Sequence, residues 1–229
     1  NKALQIICAV IFLVFFTLYV ASSFNAGAQV LLDVVPQLNG NMSLAVLIFA
    51  VIIIIYTFFG GFKAVCWTDF FQGLMMLVAI MAVPIVLLAT KNIDTSVLSI
   101  PVGDYTFATT PFSVKWQDIA SGLAWGLGYF GIPQVLLRFM AIRKEEELKS
   151  SRRIAMVWVL ISLAVAVFIG IVGRQLYPTA HLTDTSAENI FITLSTSFLP
   201  PILAGFVMAG ILAATISSSD SYLLIASSA

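Results

Sequence analysis

The sequence predicts an all-α membrane protein with about six transmembrane helices. Of its 229 residues, 60% are hydrophobic and 10% are charged, the mean hydropathy is +1.04, and the formal net charge is zero. This composition is typical of a helical membrane protein and excludes an ordinary soluble domain built around one core. Six apolar segments, each interpreted as a membrane helix, lie at about residues 3–35, 41–59, 62–90, 116–140, 154–177 and 199–229.

The first three segments are separated by two kinds of break. The first segment carries Tyr19 among apolar residues and is ended by Pro36. The second contains the β-branched run Ile52–Ile55, but it is too long and too apolar for an ordinary strand, so a helix is expected. Gly60-Gly61 predicts a tight reversal into the third segment, which has Asp69 close to its start.

The last three segments are separated by longer connections. Residues 91–115 are predicted to form a polar loop, and the charged stretch from Arg138 to Arg153 a second loop. Residues 185–198 are expected to form a short amphipathic helix before Pro200-Pro201 begins the sixth segment. The fourth segment is interrupted by small or helix-breaking residues, namely Gly122, Gly126, Gly128, Gly131 and Pro133.

The distribution of lysine and arginine predicts the orientation in the membrane. The side that holds the amino end carries Lys2, Lys63, Arg138, Arg143, Lys144, Lys149, Arg152 and Arg153. The opposite side carries only Lys91, Lys115 and Arg174. Because cytoplasmic loops have an excess of positive charge, the amino end is expected in the cytoplasm of a multi-pass protein of the cell (plasma) membrane.

The pattern of reactive side chains does not indicate an enzyme. Cys8 and Cys66 lie in or beside apolar segments and lack metal-ligand spacing, and the only histidine, His181, lies on a predicted outer loop. Neither catalysis nor a nucleic-acid partner is expected, whereas contact with the lipid bilayer is. The chain has no initiator Met and no signal peptide, so we expect residues 1–229 to be a single membrane domain within a larger protein.

Hydroxyl groups and one carboxylate are concentrated in the sixth segment. Residues Ala214, Ser217, Ser218 and Ser221 recur at i, i+3, i+4 and i+7, which is one face of a helix, with Asp220 at its edge and Ser219 pointing elsewhere. Their oxygens, together with carbonyls freed by serine or by local unwinding, are hard ligands that suit an alkali cation. Serines also serve helix packing, but an intramembrane carboxylate is costly and favours an ion site.

The glycine-rich fourth segment is a candidate solute site. Trp125, Tyr129 and Pro133 recur at i, i+4 and i+8. Broken membrane helices are tolerated where the freed backbone lines a cavity, which in transporters is the substrate site. The aromatic rings are suited to covering a small amphipathic solute, and the alternative is helix packing through small residues. For Asp69, the alternatives are a functional carboxylate and an interfacial residue that caps a helix or pairs with Lys63.

Three blocks of sequence resemble one family. Residues 56–72, YTFFGGFKAVCWTDFFQ, resemble the block that precedes and includes WTD in the sodium:solute symporter family. Residues 121–133, SGLAWGLGYFGIP, followed by Arg138–Ala141, are similar to the same region of its proline-transporting branch. Residues 213–221, AATISSSDS, and the later 226–229 resemble the sodium-site helix of the family.

The resemblance implies a LeuT-like fold of five plus five inverted repeats, of which this chain would supply the third to eighth core helices. It implies sodium ligands at Ala214, Ser217 and Ser218. A second cation site or path is implied at Asp69, Asp220 and Ser221. Substrate-binding positions are implied at Tyr19, Trp125, Tyr129 and Pro133.

The function implied is sodium-coupled secondary active transport of a small solute, with sodium ions as the coupling species and L-proline as the expected solute. Ile132 and Gln134 flank Pro133 and differ from the proline-transporting pattern, so other solutes of the family stay open: pantothenate, choline, a sugar or sialic acid. A transporter-like sensor domain of a membrane signalling kinase is a second alternative. Kinase motifs after the last membrane helix of the complete sequence would distinguish it.

Overall fold

The structure is a computed structural model, and it describes residues 2–92, 114–178, 180 and 184–228. In this part of the chain all regular structure is helical. The α-helices are α1 (Lys2–Val34), α2 (Met42–Thr90), α3 (Trp116–Gly128), α4 (Pro133–Met140), α5 (Glu147–Leu176), α6 (Asp184–Ala187), α7 (Ile190–Phe198) and α8 (Pro201–Ser228). Short 3₁₀ turns lie at Pro36–Leu38 and Tyr129–Gly131.

Four of the helices in the described ranges are long and apolar enough to cross a membrane, namely α1, α2, α5 and α8. The helix α2 has 49 residues and would extend roughly 70 Å if straight, more than twice the roughly 30 Å hydrocarbon layer. Gly61 divides it, with φ 57° and ψ −165°, a backbone conformation that only glycine adopts without strain. The expected break at Gly60-Gly61 is therefore present and separates two arms, residues 42–60 and 62–90.

The expected fourth span is not one helix. The structure has α3 of 13 residues, a 3₁₀ turn, an extended Ile132 (φ −71°, ψ 118°) and then α4, which begins at Pro133. Neither helix has the roughly 20 residues needed to cross a bilayer alone. The expected six-helix count is not confirmed, while the expected interruption of this segment by glycines and proline is observed.

Two connections differ from expectation. The charged loop expected from Arg138 to Arg153 is mostly helical, because Arg138 lies in α4 and α5 begins at Glu147. Glutamate, leucine, lysine and arginine are good helix formers, so α5 continues beyond its apolar part. The amphipathic helix expected at 185–198 is divided into α6 and α7. Most of the expected 91–115 loop, and His181, lie outside the described residues.

The helices form two compact units. The first takes in the described residues up to Ala79 and from Gly205 onward. Small residues let its helices approach closely. A Cβ on Gly210 of α8 would lie 2.5 Å from Cβ of Ala79 on α2, and a Cβ on Gly27 of α1 would overlap the ring of Phe49 on α2.

The second unit, Ile80–Ala204, is built mainly around the packing of α5 against α7. Leu194 of α7 is fully buried, and Gly173 of α5 leaves room for Ile190 at the start of α7. At one end of α5 the Nε2 of Gln175 donates to the carbonyl of Asn92 at 2.8 Å. This bond ties α5 to the residues that follow α2.

Candidate functional site

The helix α8 carries the hydroxyl stripe that the sequence predicts. Because α8 is one α-helix from Pro201 to Ser228, Ala214, Ser217, Ser218 and Ser221 do share a face. All four are half-buried. The local unwinding expected as one source of freed carbonyls is not seen, since α8 is assigned as helix throughout this stretch.

Three oxygens of this stripe are gathered around one point. The Oγ of Ser218 donates to the carbonyl of Ala214 at 3.0 Å, and the Oγ of Ser217 donates to the same carbonyl at 3.3 Å. Each hydroxyl proton is directed to the carbonyl, so the lone pairs of the serine oxygens stay available to a cation. Serine back-bonding of this kind also occurs without a ligand, so the geometry permits ion binding and does not require it.

Asp220, which is predicted at the edge of the stripe, is buried inside the first unit. Its side chain is 0% exposed, and its Oδ2 accepts a hydrogen bond from the phenol of Tyr56 in the first arm of α2. A buried carboxylate must be hydrogen-bonded to be tolerated away from water. Tyr56 satisfies part of this requirement. Its bond to Asp220 joins α2 to α8 through two residues that are 164 positions apart in the sequence.

Asp69 is brought to the same helix by the second arm of α2. It is half-buried, and the Oγ of Ser221 lies 3.4 Å from its Oδ2, a long hydrogen bond. Asp69 lies well inside α2, so it does not cap a helix end. Lys63 is exposed and has no ion-pair partner among the described residues, which disfavours the alternative in which Lys63 pairs with Asp69.

The structure therefore brings two carboxylates and several hydroxyls together along α8. Asp220 and Ser221 lie about one turn from Ser217 and Ser218 along α8, and Asp69 of α2 contacts Ser221. Sequence reasoning placed the three residues by resemblance and missed Tyr56. The signal was present, because Tyr56 is a polar side chain within a strongly apolar run and a buried phenol needs a partner.

Ser219 has a different environment from the one expected. It is 0% exposed, and its Oγ donates to the carbonyl of Thr215 at 2.6 Å. It points away from the stripe, as expected, but into the packed interior of the unit. A substitution at Ser219 would therefore disturb packing.

Tyr19 lies near the middle of α1 and is 55% exposed. Its ring contacts Tyr222 of α8, with ring centroids 5.2 Å apart, and Phe16 of α1, with centroids 6.0 Å apart. Sequence reasoning did not select Tyr222. Its position four residues after Ser218, on the same face of α8, was the available signal.

Trp125, Tyr129 and Pro133 belong to the second unit. Trp125 on α3 is 73% exposed, and Tyr129, which begins the 3₁₀ turn, is 55% exposed. The backbone stays right-handed helical as far as Tyr129, so these two rings share a face. Pro133 follows the extended Ile132, and the expected i+8 alignment of Pro133 with the two rings is lost because the helix is interrupted there.

Sequence comparisons with known proteins find one family and several curated relatives. The model of the sodium:solute symporter family matches residues 1–229. Proteins named sodium/proline symporter from Staphylococcus aureus strain USA300 / TCH1516 and strain USA300 are each 38% identical over 228 residues, which is 100% of this chain and 44% of the relative. The chain thus spans less than half the length of these relatives. No solved structure matches it at a significant level.

Proposed function

The chain belongs to the sodium:solute symporter family, and on that premise we propose that it is part of a secondary active transporter that imports a small solute with sodium. The observation that carries this proposal is the assembly of oxygens along α8. Two serine hydroxyls, those of Ser217 and Ser218, lie within hydrogen-bond distance of the Ala214 carbonyl. The same helix carries the carboxylate of Asp220, and Asp69 of α2 contacts it through Ser221. Hard oxygen ligands of this type suit an alkali cation.

The proposed sodium ligands are the carbonyl of Ala214 and the hydroxyls of Ser217 and Ser218. Sodium is the co-substrate, entering with the solute and leaving on the other side. Each sodium that enters an inside-negative cell contributes about 2.3 kcal/mol per 100 mV before any concentration gradient. This energy is sufficient to accumulate a neutral solute.

A second cation site or path is proposed at Asp69, Asp220 and Ser221. The two carboxylates would attract a cation towards the stripe, and Tyr56 would hold Asp220 in a fixed orientation. The hydrogen bond between Ser221 and Asp69 is long, so little stabilisation is lost if a cation replaces it. Because several oxygen ligands follow one another along one helix, a cation is expected to move stepwise between them and not to stay at a single isolated site.

The proposed solute is L-proline. The support is the printed name of the relatives, sodium/proline symporter, together with the exposed aromatic rings of Tyr19, Trp125 and Tyr129. Aromatic faces suit the apolar ring of a small amino acid. Pro133 begins α4 directly after the extended Ile132, and interrupted membrane helices of this kind are tolerated where they line a cavity.

We further propose that residues 1–229 form one membrane domain of a larger LeuT-like transporter, with five plus five inverted repeats and the amino end of this segment in the cytoplasm. The positive charges clustered from Arg138 to Arg153 support this orientation. The transporter would lie in the plasma membrane, in contact with lipid, and would not act as an enzyme.

The proposed function is tested by uptake into proteoliposomes that contain the complete protein. Labelled proline, pantothenate, choline, glucose and sialic acid are offered in turn, with an inward sodium gradient or with potassium in place of sodium. Accumulation of proline only under the sodium gradient is expected. If another compound of the panel accumulates under the sodium gradient, that compound and not proline is the solute. If sodium stimulates the uptake of none of them, the proposed function is refuted.

A further inference from the structure

Three aromatic rings from two helices form a closed group in the first unit. Phe16 and Tyr19 of α1 and Tyr222 of α8 each contact the other two, with ring centroids 6.0, 6.0 and 5.2 Å apart. We call Phe16, Tyr19 and Tyr222 the aromatic triad. Its member on α8 follows Ser218 by four residues, so Tyr222 lies one turn beyond the proposed sodium ligands on the same face.

The three rings of the aromatic triad differ in how far they are buried. Phe16 is 8% exposed, whereas Tyr19 is 55% exposed and Tyr222 is half-buried. Phe16 is thus the covered base on which the two tyrosines rest, and the tyrosines keep free surface.

The hydroxyl groups of Tyr19 and Tyr222 also distinguish these two residues from the covered Phe16. Within the described part of the chain, the phenols of Tyr19 and Tyr222 have no hydrogen-bond partner. A tyrosine hydroxyl that is buried normally has a hydrogen-bond partner, and Tyr222 is half-buried. The other phenol close to α8, that of Tyr56, is bonded to Asp220, so free phenols are not a general feature of this unit.

We infer that Tyr222 is a solute-contacting residue that determines specificity, with its ring against the apolar part of a small amphipathic solute and its hydroxyl available to the polar part. This inference rests on the proposed function, because it takes Tyr19 as part of the solute site. If Tyr222 contacts the solute, α8 carries both the sodium ligands and a solute-contacting ring within two turns, so one helix connects the two binding sites. Such proximity provides a physical route for the coupling free energy between the two ligands.

The test uses the complete transporter in proteoliposomes and three variants. Tyr222→Ala removes ring and hydroxyl, and Tyr222→Phe removes the hydroxyl only. Phe12→Ala is the matched control, because Phe12 lies one turn before Phe16 in α1 and also contacts its ring, with centroids 6.2 Å apart. The measurements are the proline concentration for half-maximal uptake, the maximal rate, and equilibrium sodium binding in the absence of solute.

Tyr222→Ala is expected to raise the half-saturating proline concentration about tenfold or more, which corresponds to about 1.4 kcal/mol. Tyr222→Phe should retain the ring contact and stay within about threefold of the wild type, about 0.7 kcal/mol. Sodium binding without solute, and the kinetics of Phe12→Ala, should both stay at the wild-type level. If Tyr222→Ala does not reach the membrane, Tyr222→Leu is measured and interpreted in the same way.

Two results would overturn the inference while leaving the proposed function in place. One is an unchanged half-saturating concentration in Tyr222→Ala with only the maximal rate reduced, which is the behaviour of a packing residue. The other is an equal rise of the half-saturating proline concentration in Tyr222→Ala and in Phe12→Ala. Failure of the wild type to take up any solute with sodium would instead refute the proposed function and this inference with it.

Discussion

Replacing Tyr56 by phenylalanine should weaken the connection between α2 and α8. The substitution removes one hydroxyl and keeps the ring, so the main change is the loss of the hydrogen bond to Oδ2 of Asp220. Asp220 is 0% exposed, and water therefore does not simply replace the lost donor. The expected result is a lower free energy of unfolding.

The free energy of unfolding that Tyr56→Phe loses can be estimated from two known ranges of hydrogen-bond contributions. A hydrogen bond to a charged group contributes about 1.5–3 kcal/mol in soluble proteins. Interhelical hydrogen bonds in a membrane protein average about 0.6 kcal/mol, with a maximum of about 1.7 kcal/mol. Because the acceptor is a buried carboxylate, we expect a value where the ranges meet, about 1.5 kcal/mol. The companion substitution Tyr177→Phe loses a 3.2 Å bond to the neutral, exposed hydroxyl of Ser197, so it should cost no more than about 0.5 kcal/mol.

Unfolding of the complete protein by sodium dodecyl sulfate in mixed micelles measures both losses. The same substitution is then made in Asp220→Asn, which keeps the shape of the acceptor and removes its charge. In that background, Tyr56→Phe should cost about 1 kcal/mol less than in the wild type, since the coupling energy of the pair is largely removed. An equal cost in both backgrounds would show that Tyr56 stabilises the helices through its ring and not through Asp220.

Two further predictions concern packing and orientation. Gly210→Ala should lower the free energy of unfolding by about 1–3 kcal/mol, because the new Cβ would lie 2.5 Å from Cβ of Ala79. Gly205→Ala in the same helix meets no atom within 4 Å and should be neutral or stabilising by up to about 1 kcal/mol; equal losses in the same unfolding assay would contradict the close approach of α8 to α2. For orientation, an impermeant thiol reagent applied to intact cells should label Lys115→Cys and leave Lys149→Cys unlabelled, and the reverse pattern would invert the proposed topology.

Most of the helices could be predicted because their cause is local. Long apolar runs predicted α1, α5 and α8 to within a few residues at most ends, and Gly60-Gly61 predicted the break in α2. The start of α5 was the exception. Its first residues are charged, and hydropathy does not distinguish a charged helical turn from a charged loop, whereas helix propensity does.

The candidate site was predictable where it depends on one helix and not where it depends on two. The periodicity of α8 was sufficient to place Ser217 and Ser218 on one face with Ala214. The bond from Tyr56 to Asp220 spans 164 residues, and nothing local in either segment specifies the other. The same limit applies to Tyr222, whose role depends on contact with Tyr19 from α1. The alignment of Pro133 with Trp125 failed because helical periodicity does not continue through a break.

Equilibrium binding of sodium in the absence of solute tests most directly whether the oxygens of α8 hold the ion. Ser218→Ala removes one proposed ligand, and Ser227→Ala in the same helix is the matched control, because its exposed hydroxyl also bonds back to a carbonyl of its own helix, that of Leu224, at 3.0 Å. We predict that Ser218→Ala raises the sodium concentration for half-saturation about tenfold, equivalent to about 1.4 kcal/mol, while Ser227→Ala binds sodium like the wild type. Unchanged sodium binding in Ser218→Ala, or equal weakening in both variants, would contradict the proposed sodium site.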